Sequence, residues 1–234
     1  MSTRQGSSSS PLAERAAVSR RPSAGRRRLS VHRASSGAII ASNPTLGLHA
    51  TLTAGGIALR GAHGLRVALS GPAIGRGGTL TPVRGFADPS LKHNRVTFSS
   101  PGVYEWYANA PRGVEQGFTI DYRLIGGGPL EISQTLSGNA AARVLAGRHG
   151  VRFGSKARGL RYTQLAVTDA TGARIQASMS LSGHRVTITI DDTHAVYPLR
   201  IDPQIQVPGT TYITPGPTDT SPGTSSTTTV FHQQ

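Results

Sequence analysis

From Leu48 onward, apolar and polar residues alternate with a period of two in short runs broken by Gly, Asn, Asp and Pro, the pattern of antiparallel strands with one buried and one wet face. Phe118, Ile120, Tyr122 and Leu124 alternate with Thr119, Asp121 and Arg123. Leu130, Ile132 and Leu136 resume the pattern after Gly126-Gly127-Gly128-Pro129. Ile175, Ala177, Met179 and Leu181 predict one strand, Ser182-Gly183-His184 a turn, and Val186, Ile188 and Ile190 its partner. Another hairpin is predicted from Leu160 to Thr168 through Asp169-Ala170-Thr171-Gly172, where Gly supplies the positive φ of a tight turn. Leu48, Ala50 and Leu52, then Gly55-Gly56, then Ile57 and Leu59 predict a third, with Leu65, Val67 and Leu69 beside it. Tyr197, Leu199 and Ile201 alternate with Pro198, Arg200 and Asp202 and predict a closing strand. Pro198 has no N–H to donate, which confines it to the strand's beginning or to an edge position, so the strand is edge-compatible, and Pro203 is expected to end it.

These runs make about a dozen strands spaced as in sandwiches or barrels. No segment between residues 41 and 205 carries a 3.6-residue apolar repeat. The expected fold is therefore all-β, an antiparallel β-sandwich-like module, built as one sandwich or as two small β subdomains meeting near residues 99–102. Residues 41–206 form the module. Residues 1–36, rich in Ser, Arg and Ala, read as a disordered basic tail, and residues 207–234, rich in Thr, Pro and Ser, as a linker or tail.

Charge and composition narrow the chemistry. The 234-residue chain has no Cys, so neither disulfides nor thiolate chemistry is available. Its net charge is +14, and residues 1–33 hold eight Arg against Glu14 alone, half of that excess. The other half reads as spread thinly over strands and turns. The Arg26-Arg27-Arg28 run suits nonspecific polyanion binding, but without interleaved aromatics it offers no base stacking. Arg20-Arg21 has the form of a twin-arginine export signal, yet the apolar stretch that must follow is missing, so no signal peptide is expected in this chain. No run approaches the roughly 18 apolar residues of a transmembrane helix.

The densest polar and aromatic cluster runs from Val103 to Phe118 and contains the single Trp. Within it Glu105, Trp106, Tyr107, Asn109, Glu115 and Gln116 are the candidate site residues. Glu105 and Glu115 fall on runs that pair as adjacent strands, and two facing carboxylates are what glycoside hydrolysis requires. The competing expectation is structural: Glu105, Asn109 and Gln116 satisfy backbone groups at a corner while Trp106 or Tyr107 fills the core. Eight His without close pairs argue against zinc. Asp169 and the Asp191-Asp192 pair lack the alternating ligands of a calcium loop and read as solvated turn carboxylates. Gly75-Arg76-Gly77-Gly78 shares only its glycines with phosphate loops, and no Gly-x-Ser-x-Gly elbow occurs. No cofactor is implied.

Residues 105–119, EWYANAPRGVEQGFT, resemble a segment of the N-terminal β region of large bacterial exported proteins that often continue into FG-GAP (integrin-type propeller) or other surface repeats. Residues 162–172 and 191–206, ending in Tyr197-Pro198-Leu199-Arg200-Ile201-Asp202-Pro203, extend the resemblance in the same order. The resemblance implies an extracellular or cell-surface setting and a non-catalytic role as cap, spacer or adhesion-type contact, with adjacent repeats or a surface component as partner. It carries no calcium loops, because no D-x-D-x-D-G run is present. The two rival readings are a nucleic-acid-associated protein using its basic arm, and a carbohydrate-active enzyme or carbohydrate-binding module centred on Glu105, Trp106 and Glu115.

Overall fold

The computed structural model describes residues 29–209. The first strands are β1 (Val31–Arg33), β2 (Ile39–Asn43), β3 (Leu48–Thr53), β4 (Gly56–Arg60), β5 (Arg66–Arg76) and β6 (Thr79–Pro82). β7 (Ser90–Lys92), β8 (Arg95–Ser100), β9 (Val103–Ala110) and β10 (Gly113–Ile120) follow. After β11 (Leu130–Gly138) come β12 (Ala142–Val144), β13 (Val151–Phe153) and β14 (Leu160–Thr168). The chain ends with β15 (Ala177–Ser182), β16 (Arg185–Ile190) and β17 (Leu199–Gln206). They form two antiparallel sheets. The first runs β1-β2-β3-β4-β5-β11-β16-β15 with β6 added to β5, and the second runs β12-β13-β14-β17-β10-β9-β8-β7.

Both sheets contribute to one core. Leu52, Leu69, Ile132 and Ile188 of the first sheet meet Tyr107, Phe118, Tyr162 and Ile201 of the second, all essentially inaccessible to solvent. The chain repeatedly crosses between the sheets, for instance from β10 to β11 and from β16 to β17. The architecture is one sandwich, and residues 99–102, the last two of β8 and the turn into β9, are not a seam between subdomains.

The alternation seen in the sequence locates most strands, and four details differ. Val31–Arg33, inside the expected tail, pairs with Ile39–Ala41 and buries Val31 against the core, so the folded unit begins before residue 41. Residues 1–28 and 210–234, the rest of the two expected tails, lie outside the described residues. β10 stops at Ile120, and Tyr122 is exposed in the following loop instead of continuing the strand. The Asp169–Gly172 turn forms, with Asp169 accepting hydrogen bonds from Thr171, Ala173 and Val196. Its arms nevertheless separate after an isolated Thr168–Arg174 bridge, because β14 belongs to the second sheet and β15 to the first.

The last difference concerns the closing strand. β17 is central, flanked by β10 and β14, with Pro198 directly before its first residue, the first of the two places open to that proline; Pro203 does not end the strand, which continues to Gln206. Opposite Pro203 the β14 register slips by one residue between Thr163 and Ala166. Gln164 there has a φ of +55°, and the bulge accommodates a strand residue that has no N–H to donate.

Candidate functional site

The β9–β10 hairpin brings the predicted cluster together and then divides it between two faces. Antiparallel registration places Glu105 opposite Phe118, Tyr107 opposite Gln116 and Asn109 opposite Val114, all pointing into the sandwich. Trp106 lies opposite Gly117 and Ala108 opposite Glu115, on the outer face. Glu105 and Glu115 thus sit on adjacent strands but on opposite sides of the sheet. They do not form the acid and base of a glycosidase, so the two-carboxylate expectation is corrected by the pleat.

On the inner side, Tyr107 donates to Glu105 Oε1 at 2.5 Å, and Gln116 Nε2 donates to the same oxygen at 2.9 Å. Tyr162 of β14 donates to Gln116 Oε1 at 2.6 Å. Glu105 Oε2 is buried without a partner. Burial pushes the Glu105 carboxyl up to about 7, against the opposing effect of hydrogen bonds from Tyr107 and Gln116. This is a polar tie between strands inside the core. Asn109 Nδ2 donates to Ser42 O at 2.9 Å, fastening β2 of the first sheet to β9 of the second. Asn43 Nδ2 reciprocates to Ala110 O at 3.1 Å. Asn109 therefore satisfies backbone as expected, whereas Glu105 and Gln116 bond side chains.

On the outer side, Trp106 lies on Gly117 beneath Arg95, whose guanidinium carbon is 3.7 Å from the ring centroid. A Cβ at Gly117 would fall 2.1 Å from the indole, so only glycine permits this approach. Trp106 is buried without entering the sandwich core; Tyr107 is the core aromatic. Glu115 accepts from Gln204 Nε2 at 2.9 Å. Burial, and after it the neighbouring Asp202 charge, push the Glu115 carboxyl up, while Arg95 draws it down.

A sizeable concavity lies elsewhere, at the sandwich end formed by the β5–β6 turn, the β8–β9 turn and the Tyr122–Pro129 loop. It is a groove of about 910 Å³ with Ile74, Val83, Val103 and Leu124 among its lining residues. Tyr122 and the fully exposed Ile125 stand at the same end. Gly102, at φ +71°, turns β8 into β9 and leaves room for the Tyr122 ring, which a Cβ would strike. Arg76 holds this end together. Buried at the end of β5, it donates to Asp192 through Nη1 at 3.0 Å and again through Nη2. It also donates to Leu124 O and Gly128 O, each at 2.8 Å. Tyr197 donates to Asp192 as well, and Arg123 donates to the backbone carbonyls of Asp192 and Thr193. Burial alone pushes the Asp192 carboxyl up, but the hydrogen bonds from Arg76 and Tyr197 and the charges of Arg76 and Arg123 hold it below its ordinary range.

Asp192 is therefore not a solvated turn carboxylate; Arg76 and Tyr197 use its oxygens. Arg76, whose glycine neighbours suggest a weak phosphate loop, is instead the loop's tie bar. The sequence signal for this end is the Gly126-Gly127-Gly128 run, which breaks the strand pattern immediately before it. Alternation through Tyr122 and Leu124 concealed it. Among the described residues, no group of three or more His, Asp or Glu is arranged to hold a metal ion. Among them also, no helix is long and apolar enough to cross a membrane. Comparison of the chain with family models, with curated proteins and with solved structures returns no match.

Proposed function

We propose that this protein is a non-catalytic interaction module of a bacterial secreted or cell-surface protein, acting as cap, spacer or adhesion-type contact, and that it engages its partner through the loop-bearing end. The observation that carries this reading is the groove beside Ile125 and Tyr122. Its apolar floor and its tied loops are the features of a preformed recognition site. The connectivity agrees. Ser30 lies beside Asn109, and Gln206 lies opposite Gly113, so both ends of the described chain are at the pole away from the groove. The surface setting and the bacterial origin rest on the resemblance of residues 105–119, 162–172 and 191–206. The separation of Glu105 from Glu115 supports a binding role over hydrolysis.

The test is backbone NMR of the full chain titrated with short peptides and with oligosaccharides from bacterial surfaces. A ligand should perturb amides in residues 74–84, 100–103 and 122–129. The double variant Tyr122→Ser/Ile125→Ser, altering two exposed side chains, should weaken that ligand at least about tenfold, which is a loss of about 1.4 kcal/mol. Perturbations confined to other surfaces, or turnover of an added glycan, would overturn the reading.

A further inference from the structure

Charge after residue 33 is not spread thinly, as composition suggests. Between Glu131 and Asp169 the chain has no Asp or Glu, and from Arg143 to Arg161 it carries Arg143, Arg148, Arg152, Lys156, Arg158 and Arg161. The fold places this stretch in β12, β13 and β14 at one edge of the second sheet. Registration makes Arg143 the partner of Arg152, and Arg152 the partner of Arg161. Val151, Phe153, Leu160 and Tyr162 alternate with them and are buried in the core, so the three arginines share the outer face. Directly opposed residues on neighbouring strands have Cβ atoms about 5 Å apart, and strands are spaced about 4.8 Å, so three guanidinium groups form one row across about 10 Å.

Like charges directly opposed across a sheet destabilise it. No carboxylate relieves them: among the described residues the ion pairs are those of Arg76 and Arg123 with Asp192. Arg152 Nε is buried and has no hydrogen-bond partner. A bound anion removes the repulsion, and the planar guanidinium fork pairs with carboxylate or sulfate through two parallel hydrogen bonds. The row crosses the strands, so an occupant must be a chain presenting anionic groups in series. Phe153 and Tyr162, the aromatic residues of this stretch and its edge, are buried, so the face offers no platform for stacking nucleobases.

We propose that the outer face of β12–β14 binds a linear acidic polysaccharide through Arg143, Arg152 and Arg161. This site is separate from the groove, and its test uses different residues. Binding of the full chain to heparin and to polygalacturonate is measured by titration calorimetry over a range of salt, with a single-stranded oligonucleotide of equal charge as comparator. The triple variant Arg143→Gln/Arg152→Gln/Arg161→Gln should lose at least about tenfold in affinity for the polysaccharides. The slope of log affinity against log salt should become shallower by about three. Its thermal midpoint should equal or exceed that of the unaltered chain, because a repulsive row has been removed. Where the triple variant fails to fold, Arg143→Gln and Arg161→Gln singly, both exposed, should each reduce the slope by about one. Arg26→Gln/Arg27→Gln/Arg28→Gln should leave polysaccharide binding in place. Unchanged binding in the ladder variants, loss confined to the 26–28 variant, or stronger binding of the oligonucleotide than of either polysaccharide would overturn the proposal.

Discussion

Glu105 offers the sharpest test of the folded core, because its ionisation acts on stability in a direction opposite to that of most carboxylates. Burial raises its carboxyl from 4.5 to about 7, and the hydrogen bonds from Tyr107 and Gln116 only moderate the rise. The folded state therefore holds a proton that the unfolded chain releases. By linkage the stabilisation is complete below about pH 4.5, declines as pH rises, and is lost above about pH 7, a change of about 3 kcal/mol. Total stability of a domain is on the order of 5–15 kcal/mol, so the effect is measurable. Glu105→Gln keeps an oxygen to accept from Tyr107 and Gln116 and removes the titration. Its amide nitrogen takes the place of the unpartnered Oε2 and leaves two unsatisfied N–H donors where the protonated acid leaves one O–H, a cost that does not vary with pH. The stability of the variant minus that of the natural protein should rise by about 3 kcal/mol between pH 4.5 and pH 8, whatever its value at pH 4.5. Urea denaturation at successive pH values measures the difference, followed by the fluorescence of Trp106, the single Trp. Groups such as Asp192, whose depressed carboxyl makes stability fall with acid, cancel when the two proteins are subtracted. A difference that stays constant from pH 4 to 8 would refute the reasoning.

Other substitutions address the remaining features. Asp192→Asn leaves the Arg76 guanidinium buried without its counter-charge and should cost about 3–5 kcal/mol. Arg76→Met/Asp192→Leu should recover a large part of that in thermal denaturation while hydrogen exchange quickens over residues 122–129; a double variant no more stable than the single one contradicts this. Gly117→Ala forces Trp106 away from its seat and should cost about 1–3 kcal/mol with a red-shifted emission; an unshifted spectrum would show that the indole does not rest there. Ile201→Ala, in the middle of the central strand β17 and fully buried, should cost about 2–5 kcal/mol by chemical denaturation, and a loss under 1 kcal/mol would remove β17 from the core.

Period-two alternation and turn residues determine locally where strands run, because a half-buried strand needs only its own side chains to declare its faces. That is why β3 to β5, β15 and β16 are legible in the sequence, and why the all-β class follows. Glu105, Trp106, Tyr107, Asn109, Glu115 and Gln116 are likewise legible as a cluster, since a hairpin joins them. Their division between core and outer face is not, because a one-residue change in register exchanges every side chain across the sheet. Pairing between distant segments lies beyond local pattern altogether. Pro203 marks a strand end in isolation, yet a bulge in β14 accommodates it and lets β17 run on to Gln206 at the centre of its sheet. The acid-free stretch between Glu131 and Asp169 stands in the sequence. Only the registration of β12, β13 and β14 turns its arginines into a row, and only the meeting of β5 with the loop before β17 lets Arg76 find Asp192, 116 residues away.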